Sequence, residues 1–267
     1  MKKTVSEIIV IDMIFVSLLA VSAIFKPPFS YVIYCIAFIL PISLMHLIWH
    51  GTGREFFSVS LSATKEGIGL GFLICAPFCA LVFLLSLFTS FLVGLIPYEA
   101  APVSVEGNLF VAIFLHALVP AFFEELLFRY IPIKALGAYS IKNAVIYSSL
   151  IFAFAHCNIF QLPYAFVSGI ILSVLVIMTG SILPSFIVHF VNNLASILWQ
   201  RSEKGAVFLI IFFSALGVLT LISAAVIIAK RKKLAALISP ILKDKATLIL
   251  TPLFVVYAIV TTVFTFI

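Results

Sequence analysis

The chain has 267 residues, of which 64% are hydrophobic and 10% charged, and its net charge is +6. A soluble domain carries about 25% charged and about 45–50% apolar residues, so this composition argues against a soluble globular enzyme. The cations lie between apolar runs, which points to the loop bias of a membrane protein and away from nucleic-acid binding.

Apolar runs of spanning length recur throughout. The first, residues 8–25, follows Met1-Lys2-Lys3. Its layout resembles a signal peptide, but Asp12 interrupts its core, no clear small-residue cleavage site follows, and Lys26-Pro27-Pro28 ends it. A retained span is expected, with Asp12 at the interface. The second run covers residues 30–49 and stops at Gly51-Thr52-Gly53. A polar loop over 54–66 leads to a long third run, 67–96, which suits a tilted span. The loop 97–108 carries Glu99 and Glu106 and no cation.

The fourth run begins near Leu109 and ends between Arg129 and Gly137. The fifth opens at Lys142 and reaches about Asn158. The sixth covers 162–178, with Thr179-Gly180 as its break. The seventh covers 182–199, the eighth 206–229, and the run Lys230-Arg231-Lys232-Lys233 stops it. The ninth covers 246–267. The expected fold is an all-α polytopic transmembrane helix bundle of eight or nine spans. It forms one integral-membrane domain, 1–267, with a motif-bearing core over about 108–200. A polar cavity is expected between spans four, five and seven. The cysteines Cys35, Cys75, Cys79 and Cys157 form no CxxC motif and are expected to be structural thiols.

Charge orients this arrangement. With a cytoplasmic N-terminus, thirteen cations fall on the inner side, from Lys2 through Arg54 and Lys142 to Lys245, and three (Lys26, Arg201 and Lys204) on the outer side. The compact length and short loops suit a prokaryotic plasma membrane. An internal eukaryotic membrane is also compatible.

Chemistry concentrates in the stretch Phe122-Phe123-Glu124-Glu125-Leu126-Leu127-Phe128-Arg129. A charge at mid-bilayer costs roughly 2.5–3.5 kcal/mol on insertion scales, so a retained charge is paired or used. Glu125 and Arg129 are four apart and share a helix face. Glu124 lies about 100° away around the helix. A simple salt bridge accounts for one carboxylate and leaves the other unexplained. The fifth run ends in Phe152-Ala153-Phe154-Ala155-His156, and the seventh holds His189 and Asn193 at i,i+4. Each of these polar groups is also compatible with an ordinary interhelical hydrogen bond. His46 and His50 at a helix end, and His116 two turns before Glu124, are weaker candidates.

Together, a carboxylate, two histidines and an amide on three helices suit amide hydrolysis. A glutamate takes the proton of water as general base, a histidine holds that water or protonates the leaving amine, and His189 with Asn193 can donate to the oxyanion. The depths must agree. Were the fourth helix to end at Arg129, Glu124 would lie only about 8 Å from that end, whereas His156 would lie about 20 Å in. The fourth helix is therefore expected to run to about Leu136, with Arg129 inside the protein.

The ordered motifs Glu124-Glu125-x-x-x-Arg129, Phe152-x-x-x-His156 and His189-x-x-x-Asn193 resemble those of the CAAX prenyl protease and bacteriocin-processing family of intramembrane glutamate-type endopeptidases. The likeness covers about residues 110–195. It implies Glu124 as water-activating base, His156 as its partner on that water, His189 and Asn193 as the oxyanion site, and Glu125 and Arg129 as supporting residues. A zinc site built from Glu and His is the alternative, but HExxH is absent. A metal-free reaction with no cofactor is expected. The expected partners are the lipid bilayer and a peptide or protein substrate. A prenylated C-terminus, a leader peptide and another membrane protein are all open. The rival functions are a non-catalytic scaffold or immunity protein and a proton-coupled transporter, although no internal repeat supports the transporter.

Overall fold

Hydrocarbon offers no water to unpaired N–H and C=O groups, so a chain this apolar must satisfy its backbone within helices. The computed structural model follows that rule. It describes residues 1–26, 29–50, 56–95, 108–202, 205–246 and 251–263. Among them the helices are α1 (Lys2–Ile24), α2 (Phe29–Trp49), α3 (Lys65–Val93), α4 (Leu109–Leu136) and α5 (Ile141–Ala155). They continue with α6 (Leu162–Thr179), α7 (Leu183–Arg201), α8 (Ala206–Ala229), α9 (Arg231–Lys243) and α10 (Pro252–Val263). The only β-pairing among the described residues is an isolated parallel bridge between Ser60 and Ser181. The expected Gly51-Thr52-Gly53 break, Arg54, Lys204 and the loop with Glu99 and Glu106 lie outside the described residues.

Among the described residues six helices (α1–α4, α6 and α8) are long and apolar enough to cross a membrane, so the chain is an integral membrane protein, and the expected eight or nine spans are not confirmed. Helix α5, with 15 residues, is apolar but shorter than the roughly 20 residues a hydrocarbon core requires, and α10 is apolar over its 12 described residues. Helix α7 has the length, at 19 residues, but Ser185, His189, Asn192, Asn193 and Arg201 dilute its apolar character.

The chain divides into two compact units. One comprises Met1–Val59, Phe123–Ser173 and Ile241–Ile267; the other comprises Ser60–Phe122 and Val174–Pro240. In the first unit α1, α2 and α4 meet through rings. Phe15 packs on Phe38 at 5.0 Å between ring centroids and edge-on to Phe128 at 5.6 Å, and Phe38 stacks on Phe123 at 5.4 Å. Helices α5 and α6 approach through small residues, where van der Waals fit replaces a hydrophobic driving force that lipid cannot supply. A Cβ on Gly169 would stand 2.8 Å from Ser149 Cα. Helix α5 starts at a built cap. Ser140 Oγ accepts from Asn143 N at 3.1 Å, and Asp244 Oδ2 accepts from Ser140 Oγ at 2.7 Å and Lys142 N at 2.9 Å. Those donors hold the Asp244 carboxyl below the ordinary carboxylate range, the Lys142 N–H foremost.

In the second unit α3 packs on the start of α7. Gly67 and Gly71 supply the small faces, and a Cβ on Gly71 would meet Pro184 O at 3.0 Å. The break expected at Thr179-Gly180 is present. Gly180 adopts φ +65° and its N–H bonds Val176 O at 2.8 Å, closing α6 with a left-handed residue.

Two tests follow from this packing. Gly169→Ala is expected to lower the thermal midpoint in detergent by overpacking worth about 1–3 kcal/mol. Gly69→Ala, where a Cβ meets nothing within 4 Å, is expected to hold or raise it. The Asp244 carboxylate, with its depressed pKa, contributes stability above the ordinary carboxylate pKa of about 3.9 and loses it as pH falls through the lower folded value. Asp244→Asn is therefore expected to lower the midpoint at pH 7, with the gap to the parent shrinking below about pH 4. A gap that stays constant across that range contradicts the assignment.

Candidate active site

The helix that carries the acidic pair continues to Leu136, as the depth argument requires. Counting back from its end, Glu124 lies about 18 Å in, and His156 lies about 22 Å beyond Ile141, both measured from the same Gly137–Ser140 turn. Two wide turns interrupt α4. Val119 N bonds Phe114 O, and Ile131 N bonds Leu126 O, each five residues back. Proline follows each donor, at Pro120 and Pro132. A proline ring has no N–H and crowds the carbonyl four residues back, and the widened turn relieves that crowding. The Phe128 carbonyl that Pro132 cannot serve accepts from the Ser148 hydroxyl of α5. Ser148 in turn shares a 2.8 Å hydrogen bond with Ser173.

The two adjacent glutamates have different environments. Glu125 and Arg129 are both 0% exposed, and Arg129 Nη1 stands 3.4 Å from Glu125 Oε1. The guanidinium also lies over the Phe152 ring, 3.9 Å from its centroid. Arg129 is attracted to Glu125 first and to Glu124 second. Glu124 is only half-buried, and Tyr34 of α2 lies within its electrostatic reach. Tyr34 was not singled out by the sequence. Its only sign there is a hydroxyl in an otherwise apolar run, which is a weak one.

His156 caps the C-terminal end of α5. Its Nδ1 lies 2.8 Å from Phe152 O, and its ring meets Phe152 edge-on at 4.7 Å between centroids. A carbonyl only accepts, so Nδ1 carries the proton and Nε2 is the acceptor nitrogen of the neutral ring. Phe152 thus touches both Arg129 and His156. Cys157 follows with φ +49°, a conformation unusual for a residue with a Cβ.

The other predicted residues belong to the second unit. His189 is 6% exposed and Asn193 is half-buried, and both lie on one face of α7, as their spacing implies. That helix packs on the N-terminal part of α4 through Ile197, Phe190 and Leu194 against Ala112, Ala117 and Ile113. His116 is exposed, and the charge nearest to it is Arg201. His46 and His50 are exposed at the end of α2 with rings 5.7 Å apart, as an interfacial pair should be. Among the described residues no three His, Cys, Asp or Glu side chains gather as ligands for an ion.

Asp12 corrects the sequence reading. It is 1% exposed, inside the first unit and not at an interface. It lies beside Tyr257 and Cys157. The Tyr257 hydroxyl donates to Ile151 O at 3.2 Å and lies close enough to the Asp12 carboxyl to interact with it. Cys35 is exposed, whereas Cys75 and Cys79 are buried, and all four thiols are free.

The pairing yields a double-mutant test. Glu125→Leu and Arg129→Leu should each destabilise by about 3–5 kcal/mol, because each strands a buried charge. The double variant should recover most of that loss, since it buries no charge at all. Losses that simply add, measured by denaturation in detergent, contradict the pairing.

No curated protein and no solved structure matches the chain. Residues 106–195, the stretch that holds Glu124, His156, His189 and Asn193, match the family model described as type II CAAX prenyl endopeptidase Rce1-like.

Proposed function

We propose that the protein is an intramembrane endopeptidase of the glutamate type. The observation that carries this reading is the division of labour between adjacent carboxylates. Glu125 neutralises the buried Arg129, and Glu124 stays half-buried at a depth comparable with His156. The family match to a CAAX-type endopeptidase supports it.

In this reaction Glu124 takes a proton from water while the water oxygen bonds to a peptide carbonyl carbon. His156 accepts a hydrogen bond from that water through Nε2. His189 and Asn193 donate to the carbonyl oxygen as it becomes an oxyanion, the term that weighs most in acyl transfer. The tetrahedral intermediate collapses by breaking the C–N bond. The proton held by Glu124 passes to the departing amine, leaving a carboxylate and a free amine. The residues supply every proton transfer, so no metal or cofactor is needed. The substrate is a peptide or protein presented at the bilayer: a prenylated C-terminus, a leader peptide or another membrane protein. The excess of cations on one set of loops supports a cytoplasmic N-terminus, and the short loops and compact length suit a prokaryotic plasma membrane.

Glu124→Gln is expected to lower cleavage of a peptide substrate by about 10²–10⁴-fold, the span of general-base catalysis. Asn193→Ala is expected to lower kcat by about 10²–10³-fold with little change in KM. Both variants should keep the parent melting temperature within a few degrees, and a chelator should leave the rate unchanged. Undiminished cleavage by Glu124→Gln rejects the mechanism. Lost cleavage with an intact cellular phenotype assigns the physiological role to a scaffold. Activity abolished by chelation and restored by zinc assigns the reaction to a metal.

A further inference from the structure

The second unit holds a cleft that the proposed reaction does not use. Its volume is about 410 Å³, within the roughly 300–1,000 Å³ of small-molecule sites. It lies where three spans terminate. Thr64 and Glu66 come from the start of α3, Met178 and Thr179 from the end of α6, and Val226 and Lys230 from the end of α8. Spans that stop together mark the level where hydrocarbon gives way to water. The walls on the membrane side are apolar, built by Leu70, Leu73 and Val226. The lip is charged. Lys230 opens the run Lys230-Arg231-Lys232-Lys233, and Lys233 Nζ stands 2.7 Å from Glu66 Oε2.

Helix α9 closes the cleft. Its residues Leu234 and Leu237 line it, while Arg231, Lys232 and Lys233 are exposed. Leu234, Leu237 and Ile238 recur at i, i+3 and i+4, so one face is apolar and the basic N-terminal turn is not. A short helix of this kind, directly after a span, lies in the plane of the interface.

We infer that this cleft binds an anionic phospholipid, its phosphate at Lys230 and Lys233 and the upper part of an acyl chain between Leu70, Leu73 and Leu237. A soluble anion would have no use for the apolar walls, and a zwitterionic lipid would gain little from four consecutive cations. Charge complementarity and depth therefore select one ligand chemistry, an anionic headgroup attached to hydrocarbon. Each juxtamembrane cation adds to such attraction at an acidic leaflet. Glu66 competes with the phosphate for Lys233. A lysine ammonium has three donors, so the carboxylate weakens but does not block the site. The loop-charge asymmetry puts the cleft in the cytoplasmic leaflet.

The test is a titration of the purified full chain in detergent with phosphatidylglycerol or phosphatidylcholine, with bound lipid counted by native mass spectrometry. Retention of phosphatidylglycerol and not phosphatidylcholine is expected. Lys230→Gln/Lys233→Gln is expected to weaken retention by about tenfold or more. Glu66→Gln is expected to strengthen it, and Lys26→Gln, in a different loop, to leave it unchanged. Melting curves of each variant without lipid confirm that the fold survives. Equal retention by the parent and the double variant overturns the assignment, as does equal retention of both lipids. Displacement of the lipid by millimolar inorganic phosphate also overturns it, because the cleft would then be a phosphate site. Loss of cleavage in Glu124→Gln with lipid retention intact is expected, since the two sites are independent.

Discussion

The pairing of Glu125 with Arg129 is the constraint on which the first unit depends. Two charges removed from water cost several kcal/mol each, even after relaxation. Their mutual attraction over 3.4 Å returns part of that. The Phe152 ring under the guanidinium returns more, since a desolvated cation over an aromatic face gains about 2 kcal/mol. The balance holds only while all three groups keep their places. It therefore ties α4 to α5 at one depth and fixes the rotation of α4. That rotation in turn decides that the neighbouring carboxylate, Glu124, is the one left half-buried.

Proline gives α4 the irregularity this needs. Pro120 and Pro132 each follow a residue whose N–H reaches five residues back. A wide turn adds a residue to the helix without a chain reversal, which re-aims the side chains beyond it. Arg129 lies within the second wide turn. The carbonyl orphaned by Pro132 is not left bare in hydrocarbon. It recruits Ser148, and Ser148 recruits Ser173, so a backbone defect in one helix becomes a polar link from α4 through α5 to α6. The close approach at Gly169 keeps that link short.

Much of this was legible in one dimension, and the reasons differ by feature. Helical spans read easily because a hydrocarbon solvent makes composition nearly sufficient. The pairing of Glu125 with Arg129 followed from i,i+4 geometry, and the extension of α4 to Leu136 from rise per residue. The span count is harder to read where polar residues interrupt a helix, as in α7, and where an apolar helix is short, as in α5. Asp12 was placed at the interface because a carboxylate near a chain end has that as its ordinary fate. It is buried beside Tyr257, which is 245 residues away, and sequence pattern carries no record of such contacts. Tyr34 beside Glu124 was hidden for the same reason. The cleft at Lys230 was visible only as a stop signal, since its walls come from four separate helices.

The surroundings of His156 narrow the chemistry open to it. Its Nδ1 proton is committed to the Phe152 carbonyl, so the neutral ring presents a lone pair at Nε2 and no second donor. The backbone there is held from several sides. Tyr257 donates to the Ile151 carbonyl, Phe152 is pinned under Arg129, and Cys157 takes a left-handed turn directly after the histidine. A ring so fixed is suited to receive a hydrogen bond from water. It is less suited to protonate a leaving amine, since its Nδ1 proton is already committed to the Phe152 carbonyl. Glu124 is the other acid-base group at this depth, and it lies within the electrostatic reach of Arg129. The arginine thus supports both carboxylates unequally. It pairs with Glu125 at 3.4 Å, and its attraction to Glu124 is the lesser of the two.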